Sequence, residues 1–317
     1  MSLELLHSFP ERLHLELTSR CNYKCITCKH GYVNYGEDLD DNILEIILNE
    51  LMPHLKELEL QGTGESLLSS RFMKVFQSAQ SSDCRVTLIT NASLLTEDLV
   101  EKFVRSNMQL VISLDGADAK TFNLHRPTGD FNRIKRNLEL LLKYKKESNN
   151  TLFSSVINMV ITKYNYNTIL DMMNLAKHYA IDYVYASEVR ECMPDKDVWN
   201  RLRIDNATNR DEITRVINKA NDYSKKLGVG FSFNPYIKDH KLCKPVCVSP
   251  WKHIFIYANG DLSICCELNK VFGNISIESF KEVWNGEKLN EFRNNMILKN
   301  YDNHCVNCCL SWGLTNE

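Results

Sequence analysis

The chain has 317 residues, with 38 lysine and arginine residues against 40 aspartate and glutamate residues, and a hydrophobic fraction of 44%. This composition is that of an ordinary globular protein and excludes disordered and collagen-like chains, while the length suggests one large domain and a smaller one. The formal net charge of −2 gives no basic footprint for a nucleic acid, so no nucleic acid partner is expected.

Short β-rich runs then alternate with longer amphipathic segments, which predicts βα units around a parallel sheet. Six strands are predicted, at 13–18, 58–61, 85–90, 109–114, 155–161 and 183–187. Helices are predicted at 41–53, 69–81, 96–106, 130–147 and 166–179. Six units are fewer than the eight that close a full barrel, so we expect an α/β fold built as an open, partial (β/α)6 TIM-type barrel. Its chemistry is expected at the carboxyl ends of the strands.

After residue 190 the sequence no longer alternates between strand-like and helix-like segments. Residues 190–242 are more polar and read as a connector with a helix around 208–226. A hairpin follows at 254–264, where the pair Asn259-Gly260 favours a tight primed turn, and a further helix is predicted at 278–296. The expected domains are therefore a barrel over 1–190, a connector over 191–242 and a small C-terminal domain of hairpin and helix over 243–317.

Twelve cysteines are the main clue to function. No run of about eighteen apolar residues is present and the start lacks the features of a signal peptide, so we expect a cytoplasmic protein without a membrane span. In a reducing compartment, thiols serve metals or catalysis more often than disulfides. Three cysteines lie at 21–28 and seven after residue 240, which suggests one metal site near each end.

The first group, Cys21-x3-Cys25-x2-Cys28, supplies three thiolates from one short loop after the first strand. Iron–sulfur clusters are normally held by four thiolates, so three would leave one iron open to a substrate or cofactor. A zinc site completed by His30 is the alternative.

This spacing, on the loop after the first strand of a partial barrel, resembles the radical SAM superfamily. The resemblance implies a [4Fe–4S] cluster whose unique iron chelates the amino and carboxylate groups of S-adenosylmethionine (SAM). It also implies reductive cleavage of SAM to a 5′-deoxyadenosyl radical, which abstracts hydrogen from a substrate, with a flavodoxin- or ferredoxin-type protein as electron donor. The cofactor carries this chemistry and the protein positions it.

Further residues match the family in order along the chain. The segment 62–65 corresponds to the family's Gly-Gly-Glu segment, which holds the methionine amino group, and Ser113 and Arg126 are candidates for contacts with the methionine carboxylate. Each of these residues could instead be a helix cap or turn residue. The candidate SAM-binding residues are Gly62, Thr63, Gly64, Glu65, Asn91, Ser113 and Arg126.

The second cysteine group begins at Cys247 and follows the hairpin to Cys265, with Cys305-x2-Cys308 after a helix. Four soft ligands could surround one iron–sulfur cluster, and zinc would fit the count equally well. The segment resembles the SPASM/Twitch extension of radical SAM proteins. The resemblance favours the shorter Twitch form with one auxiliary [4Fe–4S] cluster on these four cysteines. Alternative ligands are Cys243, Cys266 and Cys309.

An auxiliary cluster with four thiolates would conduct electrons, which suits oxidation of a small alcohol, as in the aminocyclitol dehydrogenases that the chain resembles in length. Such an enzyme needs a base near the substrate carbon, and Glu188 or Arg190 is a candidate after the sixth strand, although a surface ion pair is the alternative. Cys192 is a candidate hydrogen-donating thiol, with an inert buried cysteine as the alternative.

Two other functions remain open at this point. One is radical modification of a ribosomally made peptide, by epimerisation or crosslinking, with the peptide as partner instead of a small molecule. The other is a non-catalytic protein in which each of the two cysteine groups binds zinc to stabilise the fold.

Overall fold

The computed structural model describes residues 9–29, 36–190, 196–204, 210–235, 247–265, 268 and 270–306. The strands within these residues are β1 (Arg12–Leu15), β2 (Glu57–Leu60), β3 (Arg85–Thr90), β4 (Met108–Ser113), β5 (Ser154–Ile161), β6 (Tyr183–Glu188), β7 (Gly230–Asn234), β8 (His253–Ile256), β9 (Asp261–Ser263) and β10 (Gly273–Asn274). The α-helices are α1 (Asp41–Ile46), α2 (Phe72–Ser81), α3 (Glu97–Val104), α4 (Ala119–His125), α5 (Phe131–Glu147), α6 (Ile169–His178), α7 (Lys196–Leu202), α8 (Arg210–Leu227), α9 (Ser249–Lys252), α10 (Phe280–Trp284), α11 (Glu287–Ile297) and α12 (Asn303–Val306).

All of these strands belong to one sheet, in the order β10-β9-β8-β1-β2-β3-β4-β5-β6-β7. Strands β1 to β7 run parallel to their neighbours, and β9 and β10 are antiparallel to theirs. The edge strands β7 and β10 do not pair with each other in the described part of the chain, so the sheet stays open. The expected α/β fold with an open, partial barrel is confirmed.

The two faces of the sheet differ in chemistry. Side chains on the helix-covered face, such as Leu60 and Leu88, are apolar and 0% exposed. Side chains that alternate with them on the inner face, such as Thr87, Gln109 and Asn158, remain partly exposed. Because strand side chains alternate with a period of two, the apolar core lies between sheet and helices, and the inner face is left polar and accessible.

The region that the sequence predicts as a connector contains a further βα unit in its described part. Helix α8 precedes β7, and β7 pairs in parallel with β6 from Tyr183↔Gly230 to Ser187↔Asn234. The segment Gly230–Asn234 is half-buried and not strongly apolar, which explains why periodicity did not reveal it. Strand β7 therefore adds a seventh parallel strand after β6 to the six that the sequence predicts.

The C-terminal hairpin is continuous with the barrel, because β8 pairs in parallel with β1 from Arg12↔His253 to Leu15↔Ile256. Its turn differs from the predicted primed turn. Asn259 does not have the positive φ that a type I′ turn requires, and Gly260 has a φ of 86°. The backbone N–H of Gly260 donates to the carbonyl of Tyr257 at 2.9 Å, so a longer turn with a single left-handed residue closes the hairpin.

Several helices are shorter than their sequence patterns. The segment 41–53 starts as α1 and continues as a π-helical turn over Ile47–Leu51, before Pro53 prevents a regular helix. The segment 278–296 is divided into α10 and α11 by Gly286, where a Cβ would lie 2.6 Å from the carbonyl oxygen of Glu282. None of the described helices combines the length and apolar character needed to cross a lipid bilayer.

Candidate active site

The first cysteine loop leaves β1 at the carboxyl edge of the sheet and is fixed there by backbone hydrogen bonds. Ile26 donates its N–H to the carbonyl of His125 at 2.9 Å, and Lys24 donates its N–H to Oγ1 of Thr128 at 2.9 Å. The N–H of Glu65 donates to the carbonyl of Arg20 at 2.8 Å. These contacts tie the loop to the segments that follow β2 and β4.

The three thiols of this loop lie on the apolar core, with Cys25 buried and Cys21 and Cys28 half-buried. Burial raises the pKa of the Cys25 thiol to about 12, Arg126 opposes this rise, and the charges of Asp115 and the neighbouring thiolates add to it. Bound metal would favour the thiolate form. In the described residues no three Cys, His, Asp or Glu side chains are preassembled as a metal site, so the fit to a cluster rests on the soft donor set and on a guanidinium at contact distance.

That guanidinium is Arg126, at the end of α4. Its Nη1 lies 3.4 Å from Sγ of Cys25, and its Nη2 lies 2.8 Å from Oδ2 of Asp115. Burial would lower the Arg126 pKa, but the adjacent Asp115 carboxylate and Cys25 outweigh it and hold the pKa above its usual range. The buried Nε donates to none of the described residues, so it is available to an anionic ligand such as a carboxylate.

The turn after β2 packs directly on the cysteine loop. A Cβ on Gly64 would lie 2.2 Å from the carbonyl oxygen of Thr18, so only glycine permits this approach. A Cβ on Gly62 would overlap Glu16, whose carboxylate accepts hydrogen bonds from the N–H of Thr63 at 2.6 Å and from its hydroxyl at 2.7 Å. Both glycines and Thr63 therefore have structural roles in bringing the turn to the loop.

Glu65 is buried at 3% exposure within this turn. Its Oε1 accepts from the Thr90 hydroxyl at 2.8 Å and from the N–H of Leu67 at 3.3 Å, and its Oε2 accepts from the N–H of Asn91 at 2.8 Å. Burial raises its pKa, and the hydrogen bonds from Asn91 and Thr90 counteract this rise. Because Oε2 receives only one of these bonds, it keeps a lone pair for a further donor.

A polar network links the cysteine loop to the end of β3. Asn91 donates from Nδ2 to Oδ1 of Asn22 at 2.9 Å, Asn22 donates to the Ser93 hydroxyl at 2.8 Å, and that hydroxyl donates back to Oδ1 of Asn91 at 2.6 Å. Asn91 is thus placed beside the loop, as its position after the strand suggests. Ser113 lies further along the edge, on the inner face of β4.

Of the two candidate catalytic residues, one forms an ion pair and the other lies outside the described residues. Glu188 is the last residue of β6 and lies on the opposite face of the strand from the inner-face residue Ser187. Its side chain is buried. Both of its carboxylate oxygens accept hydrogen bonds from Arg210 of α8. This ion pair is the alternative that the sequence analysis leaves open, and the role of Glu188 as a base stays a prediction. Cys192 lies outside the described residues.

The described part of the second cysteine group is half-buried. Cys247 precedes α9, Cys265 follows β9 and Cys305 lies in α12, and all three pack against the main apolar core. Cys308, the fourth predicted ligand, and the alternatives Cys243, Cys266 and Cys309 lie outside the described residues. Assignment of this cluster's ligands therefore stays a prediction.

Two residues of the site were missed by sequence reasoning. Glu16 occupies a polar position of the first strand pattern, and its role depends on a turn 47 residues later in the chain. Thr90 ends β3 and is identified only by its hydrogen bond to Glu65. A lone acidic residue near the end of an apolar strand was the available signal for Glu16.

Comparison with known families gives two matches. A model described as the radical SAM superfamily matches residues 15–176, about half of the chain. A model of an iron–sulfur cluster-binding domain, SPASM, matches residues 247–309. The two matches include both cysteine groups.

Two curated relatives match over nearly the whole chain. The tungsten-containing aldehyde ferredoxin oxidoreductase cofactor-modifying protein of Pyrococcus furiosus is 26% identical and covers 94% of this chain and 87% of its own length. The AdoMet-dependent heme synthase of Methanosarcina barkeri is 25% identical and covers 94% of this chain and 91% of its own length. Among solved structures, Streptococcus suis SuiB bound to S-adenosylmethionine has a TM-score of 0.69 at 20% identity, over 96% of this chain and 71% of that one. This last likeness concerns the fold.

Proposed function

Because the chain belongs to the radical SAM superfamily, we propose that Cys21, Cys25 and Cys28 hold the cluster that binds SAM, with Glu65 and Arg126 as ligands of the methionine moiety. When bound, the cofactor supplies the 5′-deoxyadenosyl radical. The observation that carries the assignment is the contact of Arg126 with Cys25, next to a buried glutamate on the same edge of the sheet.

Glu65 and Arg126 would each bind one of the two oppositely charged groups of the methionine moiety of SAM. Oε2 of Glu65 has a lone pair left to accept a hydrogen bond from the methionine ammonium. Nε of Arg126 has a proton left to donate to the methionine carboxylate. Asp115 keeps the guanidinium in place by accepting from Nη2 and, through its other oxygen, from the N–H of Val160 at 2.9 Å.

Helix α7 covers the carboxyl edge near this site. Val198 and Trp199 pack against Ile26 of the cysteine loop and against Val160 at the end of β5. This apolar contact reduces the access of water to the space above the inner face. A covered site limits side reactions of reactive intermediates.

We further propose that the substrate is a small molecule and that the reaction oxidises an alcohol to a carbonyl. The curated relatives that match over the whole chain are named for a cofactor-modifying protein and a heme synthase, which supports a small-molecule substrate. Oxidation removes one hydrogen atom, one electron and one proton from the alcohol. Bound SAM would supply the acceptor of the hydrogen atom, an auxiliary [4Fe–4S] cluster held by Cys247, Cys265, Cys305 and Cys308 would supply the acceptor of the electron, and the proton would leave to solvent.

The first test is anaerobic reconstitution with iron and sulfide. We expect about eight irons per chain for two clusters, and 5′-deoxyadenosine when SAM is added with dithionite or a reduced flavodoxin. Cys25→Ala should lose about four irons and all 5′-deoxyadenosine formation. The matched control Cys84→Ala, at a buried cysteine outside both groups, should behave like the wild type. One zinc per site and no iron would contradict the proposal and would favour the structural zinc protein.

A second test addresses the reaction. Incubation with candidate alcohols and mass spectrometry should detect a product lighter by two hydrogen atoms. A parallel incubation with peptides is run in deuterated water. A peptide that gains one deuterium without oxidation would indicate epimerisation and would overturn the small-molecule assignment.

A further inference from the structure

A row of polar side chains crosses the inner face of the sheet close to its carboxyl edge. The register aligns Ser113 of β4 with Asn158 of β5, Asn158 with Tyr185 of β6, and Tyr185 with Ser232 of β7. All four side chains are partly exposed, and on β4, β5 and β6 they alternate with fully buried apolar residues. Together they form a continuous polar strip, which we call the inner row.

The inner row has unused hydrogen-bonding capacity. Oδ1 of Asn158 is shielded from solvent, yet it accepts a hydrogen bond from none of the described residues. The Tyr185 hydroxyl oxygen accepts from Nδ2 of Asn234 at 3.0 Å, which fixes the oxygen and leaves its proton to be donated. A buried acceptor without a partner costs free energy, and such groups are expected where a ligand supplies the missing donor.

The surroundings of the inner row are neutral. Val111 and Val156 lie one register step below it on the inner face, and Val160 lies one step above. Asp115, which follows β4 above the row, is paired with Arg126. A carboxylate or phosphate would find no cation within the row, whereas a hydroxyl group could donate to Asn158 and accept from Tyr185.

From this arrangement we propose that Asn158, Tyr185 and Ser232 recognise the hydroxyl groups of a neutral, hydroxyl-rich substrate such as a sugar or cyclic polyol. Asn158 accepts from one substrate hydroxyl, and Tyr185 donates to a substrate oxygen. Asn234 is a positioning residue, because it acts through its hydrogen bond to Tyr185. The inference rests on the proposed function, since the row begins at Ser113, a candidate contact of the SAM carboxylate, and the substrate would lie on the same face of the sheet.

The test uses the reconstituted full chain with SAM under anaerobic conditions. The probes are myo-inositol and glucose, with gluconate as a charged comparison, and calorimetry measures their Kd values and that of SAM. We expect at least one uncharged polyol to bind and to stimulate 5′-deoxyadenosine formation, and gluconate not to. Asn158→Leu and Tyr185→Phe should each raise the polyol Kd about tenfold, the effect of one lost hydrogen bond, without changing the Kd of SAM.

Tyr183→Phe is the matched control, because Tyr183 lies on the same strand and face one register step below the row. It should leave both Kd values unchanged. If Asn158→Leu does not fold, as judged by circular dichroism, Tyr185→Phe alone still tests the inference.

Three results would overturn the inference. Wild-type protein could bind SAM but none of the polyols, the two variants could weaken SAM in parallel with the polyol, or Tyr183→Phe could have the same effect as Tyr185→Phe. In each case SAM cleavage by the wild type would leave the proposed function standing. Absence of clusters and of SAM binding in the wild type would instead remove the proposed function, and the inference with it.

Discussion

Glu65 shows how a single buried carboxylate can serve both the fold and a ligand. Its oxygens accept hydrogen bonds from Thr90, Leu67 and Asn91, which offset the cost of burying its charge. Glu65→Gln keeps the shape but removes the charge and one acceptor. We expect the Kd of SAM to rise tenfold or more, about the effect of losing one charge-assisted hydrogen bond, as measured by equilibrium binding to the reconstituted protein.

Thr90→Val is the control for this substitution, because it removes a hydrogen bond to Glu65 but keeps the carboxylate charge. Its effect on SAM binding should be clearly smaller. Equal effects of the two substitutions would argue that Glu65 acts only through the local structure.

Two buried histidines at the amino end of the sheet predict a pH dependence of stability. Burial holds the pKa of His14 well below its usual value and lowers that of His253 to about 4, with Arg12 contributing to the latter. The unfolded chain therefore binds more protons between pH 4 and the usual histidine pKa, so stability falls as the pH decreases through this window. For His253 alone the loss from about pH 7.5 to about pH 5.5 is about 1 kcal/mol.

Denaturant titrations at these two pH values test the prediction. His253→Phe should reduce the difference in the free energy of unfolding between them. His178→Asn, at an exposed histidine of α6, should leave the difference as in the wild type. An unchanged difference in His253→Phe would contradict the assignment.

The site residues could be predicted to different degrees. The cysteine loop and the segment 62–65 are local in sequence, so spacing and order were sufficient to identify them. The partners of Arg126 lie 11 residues away at Asp115 and 101 residues away at Cys25. Such pairs depend on how loops meet at the sheet edge, and periodicity does not contain that information.

At the level of elements, Arg293 joins the short helices of the C-terminal region. It is 1% exposed, donates from Nε to the carbonyl of Pro250 at 2.8 Å and from Nη1 to the carbonyl of Trp284 at 2.7 Å. Burial lowers its pKa to about 10. Arg293→Lys keeps a charge but cannot reach both carbonyls, so we expect a loss of about 3 kcal/mol in the free energy of unfolding.

Chemical denaturation measures this loss. Lys288→Met, at an exposed position of the same helix α11, should change the free energy of unfolding by less than about 0.5 kcal/mol. Arg293→Lys with the stability of the wild type would show that the two carbonyls find other donors.

The six strands of the barrel were easier to predict than the added strand β7 and the turn of the C-terminal hairpin. All six predicted strands are present, because each has a clear apolar face covered by helices. Strand β7 was missed since its residues are only half-buried. The turn at Gly260 differs from the prediction, because it packs against Ile43 and Asn274, which the local sequence does not reveal.

On the scale of the whole molecule, the C-terminal region completes the sheet instead of forming a separate layer. Strand β8 supplies the second neighbour of β1, and Trp251 of α9 is almost fully buried. A chain ending at residue 246 would expose that edge of β1 and the apolar surface covered by α9 to α11. We expect this truncated chain to aggregate or to melt at a lower temperature than the full chain, as measured by size-exclusion chromatography and thermal denaturation.

A matched truncation leaves the pairing intact. A chain ending at residue 302 keeps β8, β9 and α11 and should elute and melt like the full chain. A stable, monomeric 1–246 fragment would establish the barrel as an independent domain.

Strand β1 is an interior strand of the sheet, and this position bears on the stability of the loop that follows it. Both of its edges are hydrogen-bonded, to β2 and to β8, so its amide protons should exchange with solvent only through global unfolding. The cysteine loop is attached to the end of this strand, and the turn carrying Gly64 is pressed against it. The cysteine loop is therefore anchored to a strand that is hydrogen-bonded along both edges, and opening of an outer helix would not release it.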